Sequence, residues 1–316
     1  MKLHNLRDFI AVARAGSIHQ AARELQLSQP ALTKSIRQLE KELGTPLFDR
    51  TAKGAALNQM GRRFLLRAET AANELSRGRD ELTQLMGARG GRVAFAVSGT
   101  PSLLFLAGAL KAFRQRYPLA QVRIVEGLLP VMLPELRDSR IDFVMAPRPA
   151  RSLGKEYAVT PVFSHKRAVV GGVHHPLRRA RSLADLVDAE WILTAAAGPR
   201  AIEFDEVFSV RGLRVPAARV QCESLMALVS LLANTELLAL LPEDWIRTPL
   251  TARVLTKFPI DDEIDGPDIC MIRREGLPLT PAAEAFSDAL LREAEYLRPR
   301  PSAARSRPER GTRAKS

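Results

Sequence analysis

Leu6, Phe9, Ile10 and Ala13 recur three and four residues apart, the spacing of one helix face. Gly16 is placed to end that helix, because glycine tolerates a positive φ. Ser17 then opens a second helix as its N-cap, with Gln20 three residues on to complete a capping box. Ala21, Ala22 and Leu25 form its inward face, small enough for two helices to cross closely. Leu27-Ser28-Gln29-Pro30 turns the chain, Ser28 capping a third helix whose first turn accepts Pro30 without losing a needed hydrogen bond. The third helix buries Leu32, Ile36, Leu39 and Leu43 and turns Gln29, Thr33, Lys34 and Arg37 the other way. Gly44 and Pro46 stop it. Leu47 to Leu57 then reads as two short strands around a Lys53-Gly54 tip.

From Asn58 the period lengthens. Leu65, Ala68, Ala72, Leu75, Arg79, Leu82 and Met86 alternate spacings of three and four, a heptad seam with Arg79 as its polar break. The pattern fits a helix-to-helix dimer seam; the competing reading is an amphipathic helix packed on its own domain. Gly87, Gly90 and Gly91 mark a boundary. Beyond them Val93 to Val97 is a continuous apolar run, as in a strand buried on both faces. The chain then predicts helix 103–117, strand 121–126, helix 130–139 and strand 141–146. The alternation restarts at Arg167 to Val170, with helix 183–187, strand 191–193, a helix from about Ala201, strand 219–222, helix 225–234 and strand 237–241. Strand 269–272 and a helix over 281–296 return to the first half. This order predicts doubly wound, parallel α/β sheet in two linked lobes, lobe I about 92–161 with 266–297 and lobe II about 162–265.

Charge sharpens the picture. The net charge is +12, but residues 88–297 carry 26 basic against 25 acidic side chains. Residues 1–87 carry 14 against 9, and residues 298–316 carry 7 against 1. A foldable basic end points to a polyanion. The third helix offers base edges and phosphates amide, hydroxyl and cationic groups, and Arg50 and Lys53 on the hairpin lie ready for the backbone or minor groove. Capped helix, tight turn, polar-faced helix and basic hairpin together predict a winged helix-turn-helix over 1–57. Its DNA-reading residues are Ser28, Gln29, Pro30, Thr33, Lys34, Arg37, Arg50 and Lys53, and residues 58–87 form a linker helix. A plain three-helix bundle with a solvated basic face is the alternative.

Phe9 to Leu57, with AARELQLSQPALTKSIRQLEKELGTPLFDR at its centre, resembles the N-terminal domain of LysR-type transcriptional regulators. Thr33 stands where that family usually has Ser and keeps the hydroxyl. Asn58 stands where it usually has Thr and is an equally good cap. The resemblance implies an effector-responsive bacterial regulator of double-stranded operator DNA. It also implies a periplasmic-binding-protein-like effector domain of two α/β lobes, a homodimer joined through the linker helix and a homotetramer. QCESLMAL and LPLTPAA resemble, more loosely, the subgroup containing the regulator of toluenesulfonate degradation, which implies an aromatic or otherwise anionic effector.

In doubly wound lobes, ligands sit at the carboxyl ends of strands. Four loops there supply Ser98 and Thr100, Gly127 and Leu128, Thr194, and Ser224 as candidate effector contacts; several precede helices, whose free N–H groups favour an anion. Each hydroxyl is equally explained as a helix cap. No cofactor, metal site or catalytic constellation is expected: His174 and His175 are adjacent without a further ligand at metal spacing, and phosphate-loop and nucleophile-elbow motifs are missing. Cys222 and Cys270 are too few for a disulfide scaffold; the resemblance to a family with peroxide-sensing members allows a redox pair, but their places in or beside apolar strands favour inert buried thiols. Arg7, Asp8 and Arg14 interrupt the first apolar stretch, and Ser230, Asn234, Thr235 and Glu236 the longest one, so neither a secretory signal nor a membrane span is expected and the cytoplasm is the expected compartment. The last 19 residues, rich in Arg and Pro, are expected to be a disordered basic tail.

Overall fold

The computed structural model describes residues 1–51, 54–194 and 199–297, with backbone alone at 50, 51, 54 and 199–202. Lys53 and the basic tail lie outside the described residues. The head contains helices α1 (Leu3–Ala15), α2 (Ile18–Glu24) and α3 (Gln29–Leu43) and the hairpin β1 (Phe48–Thr51) and β2 (Gly54–Leu57). Gly16 and Gly44 end α1 and α3 at φ 64° and 71°, the left-handed region. Ser17 accepts from the Gln20 N–H at 3.4 Å, but the capping box is not completed: Gln20 Nε2 donates instead to Glu24 Oε1, one turn ahead. Phe9, Ala21, Leu32, Ile36 and Leu39 form the head core, whereas Leu43 is 38% exposed because α3 has run past the core by its last turn.

The long helix α4 (Gln59–Leu85) divides the expected seam. Leu65, Ala68 and Ala72 pack into the head's own core, so the competing reading holds for this half. Leu75, Leu82 and Met86 are 52%, 64% and 81% exposed, and Arg79 is exposed beside them.

Lobe I contains β3 (Arg92–Val97), α5 (Gly99–Leu104), α6 (Leu106–Arg116), β4 (Gln121–Glu126), α7 (Leu129–Arg137), β5 (Phe143–Pro147) and β6 (Tyr157–Phe163). It ends with β13 (Ile269–Arg274) and α10 (Pro281–Leu297). Its sheet order is β4-β3-β5-β13-β6. Alternation along β3 feeds both faces: Val93, Phe95 and Val97 join Phe143, Phe113 and Phe286 under α6 and α10, while Ala94 and Ala96 face Met132 and Leu136 of α7. Lobe II contains β7 (Lys166–Gly172), β8 (Glu190–Leu193), α8 (Pro199–Ser209), β9 (Val220–Gln221), α9 (Leu225–Asn234), β10 (Leu237–Pro242), β11 (Leu255–Lys257) and β12 (Ile264–Asp265). The sheet order is β11-β7-β10-β8-β9, with β12 also on β7.

Both sheets are mixed, not wholly parallel. β3, β4 and β5 run parallel, as do β10, β8 and β9, but β13 opposes β5 and β6, and β7 opposes β10 and β11. The reason is connectivity. β7 and β13 are entered by crossing from the other lobe, not by a helical return over the same sheet, so the handed crossover rule does not bind them. The crossovers lie side by side, with the Gly266 N–H on His165 O at 3.0 Å and the Ser164 hydroxyl on Asp268 Oδ1 at 2.6 Å. A Cβ at Gly266 would come within 2.4 Å of the His165 ring, so a larger residue there would have to displace that ring.

Linker helix and lobe I are tied by polar bonds. Asn73 Nδ2 donates to Asp138 O (3.3 Å), Arg77 pairs with buried Asp142 (3.1 Å), Glu74 with Arg274 (2.6 Å) and Glu69 with Arg140 (2.8 Å), and Gln84 Oε1 accepts from the Ala282 N–H (2.9 Å). Glu69 also pairs with Arg14 at the end of α1, completing a relay from head to sensor.

Candidate functional site

α3 gathers most of the third-helix candidates on one face. Ser28 accepts from the Ala31 N–H at 3.4 Å, Pro30 occupies the first turn, and Gln29, Pro30, Thr33, Lys34 and Arg37, with Gln38 and Lys41, line one open concave face. Beneath it a buried network absent from the sequence reading locks α3 onto α1: Ser35 Oγ donates to Asp8 Oδ2 (2.6 Å) and receives Asn5 Nδ2 (2.9 Å). Glu40 Oε1 accepts from the Leu47 N–H at 2.8 Å, and Asn58 both caps α4 through the Gly61 N–H and donates to Pro46 O, each at 2.8 Å. These bonds set the hairpin beside α3. Arg50 lies on β1 opposite Ala55.

The second site is the interlobe cleft. Ser98, Thr100, Gly127, Leu128, Thr194 and Ser224, from four loops, line one cavity of about 60 Å³. Parallel pairing explains the convergence: Val97 is level with Glu126 across β3 and β4, so their following loops emerge together. From lobe II, the Cys222 N–H bonds Leu193 O and sets the two loops there side by side. Ser224 caps α9, accepting from the Ala227 N–H at 3.3 Å. Ser98 behaves differently: it precedes α5, is 3% exposed, and its Oγ has no partner among the described residues. Thr100 is buried and its Oγ1 accepts the Trp245 indole N–H at 3.2 Å, joining α5 of lobe I to the short 3-10 turn Glu243–Arg247 of lobe II.

Residues 3–62 match the bacterial regulatory helix-turn-helix protein, lysR family, and residues 87–295 match the LysR substrate binding domain. The chain belongs to the LysR family of transcription regulators. It is 27% identical over 266 residues to the HTH-type transcriptional regulator TdcA of Escherichia coli strain K12, covering 83% of this chain and 84% of that one. It is 28% identical over 296 residues to the RuBisCO operon transcriptional regulator of Allochromatium vinosum, covering 93% and 97%. Its fold matches the crystal structure of CbnR, a LysR family transcriptional regulator, with a TM-score of 0.67 at 23% identity over 93% and 99% of the chains. It also matches a full-length, singly substituted OxyR from Pseudomonas aeruginosa, with a TM-score of 0.65 at 19% identity over 92% and 94%. A structure of CbnR complexed with its target DNA superposes equally well. These relatives are regulators, not enzymes.

In this LysR-family cleft the sequence reading missed several lining groups. Trp245, Glu126, Glu223, His165 and Arg167 complete the walls. The signal for Trp245 was an aromatic residue in the acidic turn just after the strand ending at Pro242. Arg167 is already bound to Glu203 at 2.8 Å. Partial desolvation alone pushes the carboxyl of Glu126, an exposed residue at the rim, above the ordinary glutamate range. Cys222 is only half-buried and lines the cleft, unlike Cys270, whose thiol is pushed up by burial. His175 is a core histidine, Nδ1 accepting from the Leu177 N–H and Nε2 meeting Glu236 O, both at 3.0 Å. Among the described residues there is no metal-ligating cluster, and no helix is long and apolar enough to cross a membrane.

Proposed function

We propose that this LysR-family regulator reads operator DNA sequence-specifically through Ser28, Gln29, Pro30, Thr33, Lys34 and Arg37, with Arg50 and Lys53 on the wing. We propose further that a small effector with an anionic group, bound between the lobes, modulates that reading. The observation that carries the second half is the Ser98 hydroxyl, buried and unpartnered in a cleft that gathers four strand-end loops. Thr100 and Ser224 each have an oxygen lone pair taken by an N–H donor, which leaves the O–H to donate. Three hydroxyl donors beside helix starts suit an oxyanion. The volume of about 60 Å³ is well below the ~300–1,000 Å³ of common ligand sites, so the effector is compact or the lobes part to admit it, as an aromatic anion would require.

The exposed half of α4, with Leu75, Leu82 and Met86, supports a two-fold dimer there, and a dimer of dimers follows the family pattern. The division is head 1–57, linker 58–87, sensor 88–297 and basic tail 298–316, in a cytoplasmic protein with access to the chromosome. Selection of genomic fragments by the full-length protein tests the reading. The expected result is enrichment of a near-palindromic site with half-sites about one or more helical turns apart, lost in Gln29→Ala and Arg37→Ala. Selection that enriches no sequence, or enrichment unchanged in both variants, would refute it.

A further inference from the structure

We propose that the effector carries a cationic nitrogen as well as its anionic group, so that the cleft takes a compact zwitterion of the α-amino acid class, its ammonium held by Glu126 and Glu223. This rests on the reading of the cleft as the effector site and goes beyond it. Glu126 closes β4 in lobe I, level with Val97, and Glu223 follows β9 in lobe II, immediately before the cap of α9. One carboxylate therefore comes from each wall. Neither forms an ion pair among the described residues, while the guanidinium of Arg167 is committed to Glu203. With that pair neutral, Glu126 and Glu223 are the two acidic groups left in the described lining, beside the His165 ring.

Both carboxylates stand at the solvent-exposed rim of the cleft, and a purely anionic ligand would add a third negative charge beside them, which like-charge juxtaposition disfavours. A ligand that brings its own ammonium turns the same carboxylates into attraction. Glu126 is exposed at the rim, and its partial desolvation without a neutralising partner, which raises its carboxyl, fits a group that a cation would satisfy. Ser98 supplies the independent half of the case. Its buried hydroxyl needs an acceptor, and a carboxylate is the strongest one a small ligand offers. A volume of about 60 Å³ matches a short skeleton in which ammonium and carboxylate share one carbon.

The test uses the full-length protein, with isothermal titration and thermal shift against matched pairs: L-alanine with propionate, L-serine with 3-hydroxypropionate, and the remaining L-amino acids with their deamino acids. At least one amino acid is expected to bind, its deamino partner at least about tenfold more weakly. Glu126→Gln and Glu223→Gln are each expected to weaken the amino acid by about tenfold or more and to shrink that gap, while Ser98→Ala weakens both partners. Deamino acids that bind as tightly as amino acids, with Ser98→Ala still harmful, would overturn the zwitterion and leave the cleft reading standing. The zwitterion is likewise overturned if both glutamine variants bind an amino acid normally, as solvated rim carboxylates would allow, or if no amino acid binds. If Ser98→Ala leaves the binding of every bound probe unchanged, the cleft assignment itself fails.

Discussion

Thr100→Val tests the buried side-chain hydrogen bond that spans the cleft. The substitution keeps the shape of the side chain and removes the oxygen that accepts the Trp245 indole N–H at 3.2 Å. The indole cannot simply turn to water: Trp245 is buried, its ring lies 3.1–3.2 Å from where a Cβ on Gly99 would stand, and its carbonyl is held by the Thr251 hydroxyl. A buried donor left without an acceptor costs about 1–3 kcal/mol. For a unit of the sensor's size each kcal/mol moves Tm by about 2–4 °C, so the sensor transition should fall by roughly 2–12 °C. Trp245→Phe removes the donor and some ring volume, and therefore also destabilises. The pair together removes both partners, so the double variant should cost less than the two single costs combined, by about 0.5–1.5 kcal/mol. Calorimetry on ligand-free protein gives all four corners of this cycle. An unchanged Tm for Thr100→Val, with single effects that simply add, would refute the bond between the lobes.

Gly61→Ala should destabilise the head by at least about 1–3 kcal/mol and lower DNA affinity near its melting temperature, since the new Cβ would stand 2.0 Å from the Leu47 carbonyl oxygen; near-normal melting would refute that packing. Lys34→Ala and Arg37→Ala should each reduce the slope of log affinity against log salt by about 0.9 if each meets one phosphate, measured by fluorescence anisotropy; an unchanged slope removes that residue from the interface. Arg79→Leu should tighten the dimer by replacing the polar break beside Leu75 and Leu82, and a looser dimer in sedimentation would refute the seam. The Ser164 hydroxyl and the Arg148 guanidinium hold Asp268 below the ordinary aspartate range. A depressed carboxylate stabilises fully above its unfolded pKa of about 3.9 and loses that contribution as pH falls through the folded value. Asp268→Asn should therefore melt lower than wild type by a constant margin from pH 7 to about 4, the margin closing at more acid pH; a margin that grows on acidification would refute the sign.

The head was legible because local chemistry fixes it. Ser28, Pro30 and Gly44 state where α3 begins and ends whatever surrounds them, and the heptad spacing announced α4. Spacing alone did not say which half of α4 the head would cover, since Leu65 and Leu75 look alike along the chain and differ only in what lies beside them. Strand–helix alternation located most sensor elements but implied parallel strands throughout. It missed β6, β11 and β12, which are joined to the preceding strands without an intervening α-helix. The six cleft residues were found because strand ends in such a fold are defined by order. Trp245, Glu126 and Glu223 were not, because an aromatic residue in a turn and an acid at a strand end carry no mark of facing a cavity until both lobes are in place. Lys53 and the basic tail lie outside the described residues.

The bonds from α4 to the sensor end on Asp138, Arg140, Asp142, Arg274 and Ala282, all in lobe I. Lobe I is thus a stator, clamped to the helix that carries the DNA-facing head, and lobe II is the rotor, joined to it by two strands, the Thr100–Trp245 latch and the packing of Leu103 on lobe II's core. On the proposed reading of the cleft, a ligand held between the walls would swing lobe II against a frame fixed to the DNA-binding head. A label pair on α4 and lobe II should therefore register occupancy of the cleft, and the same pair moved to α4 and lobe I should stay still.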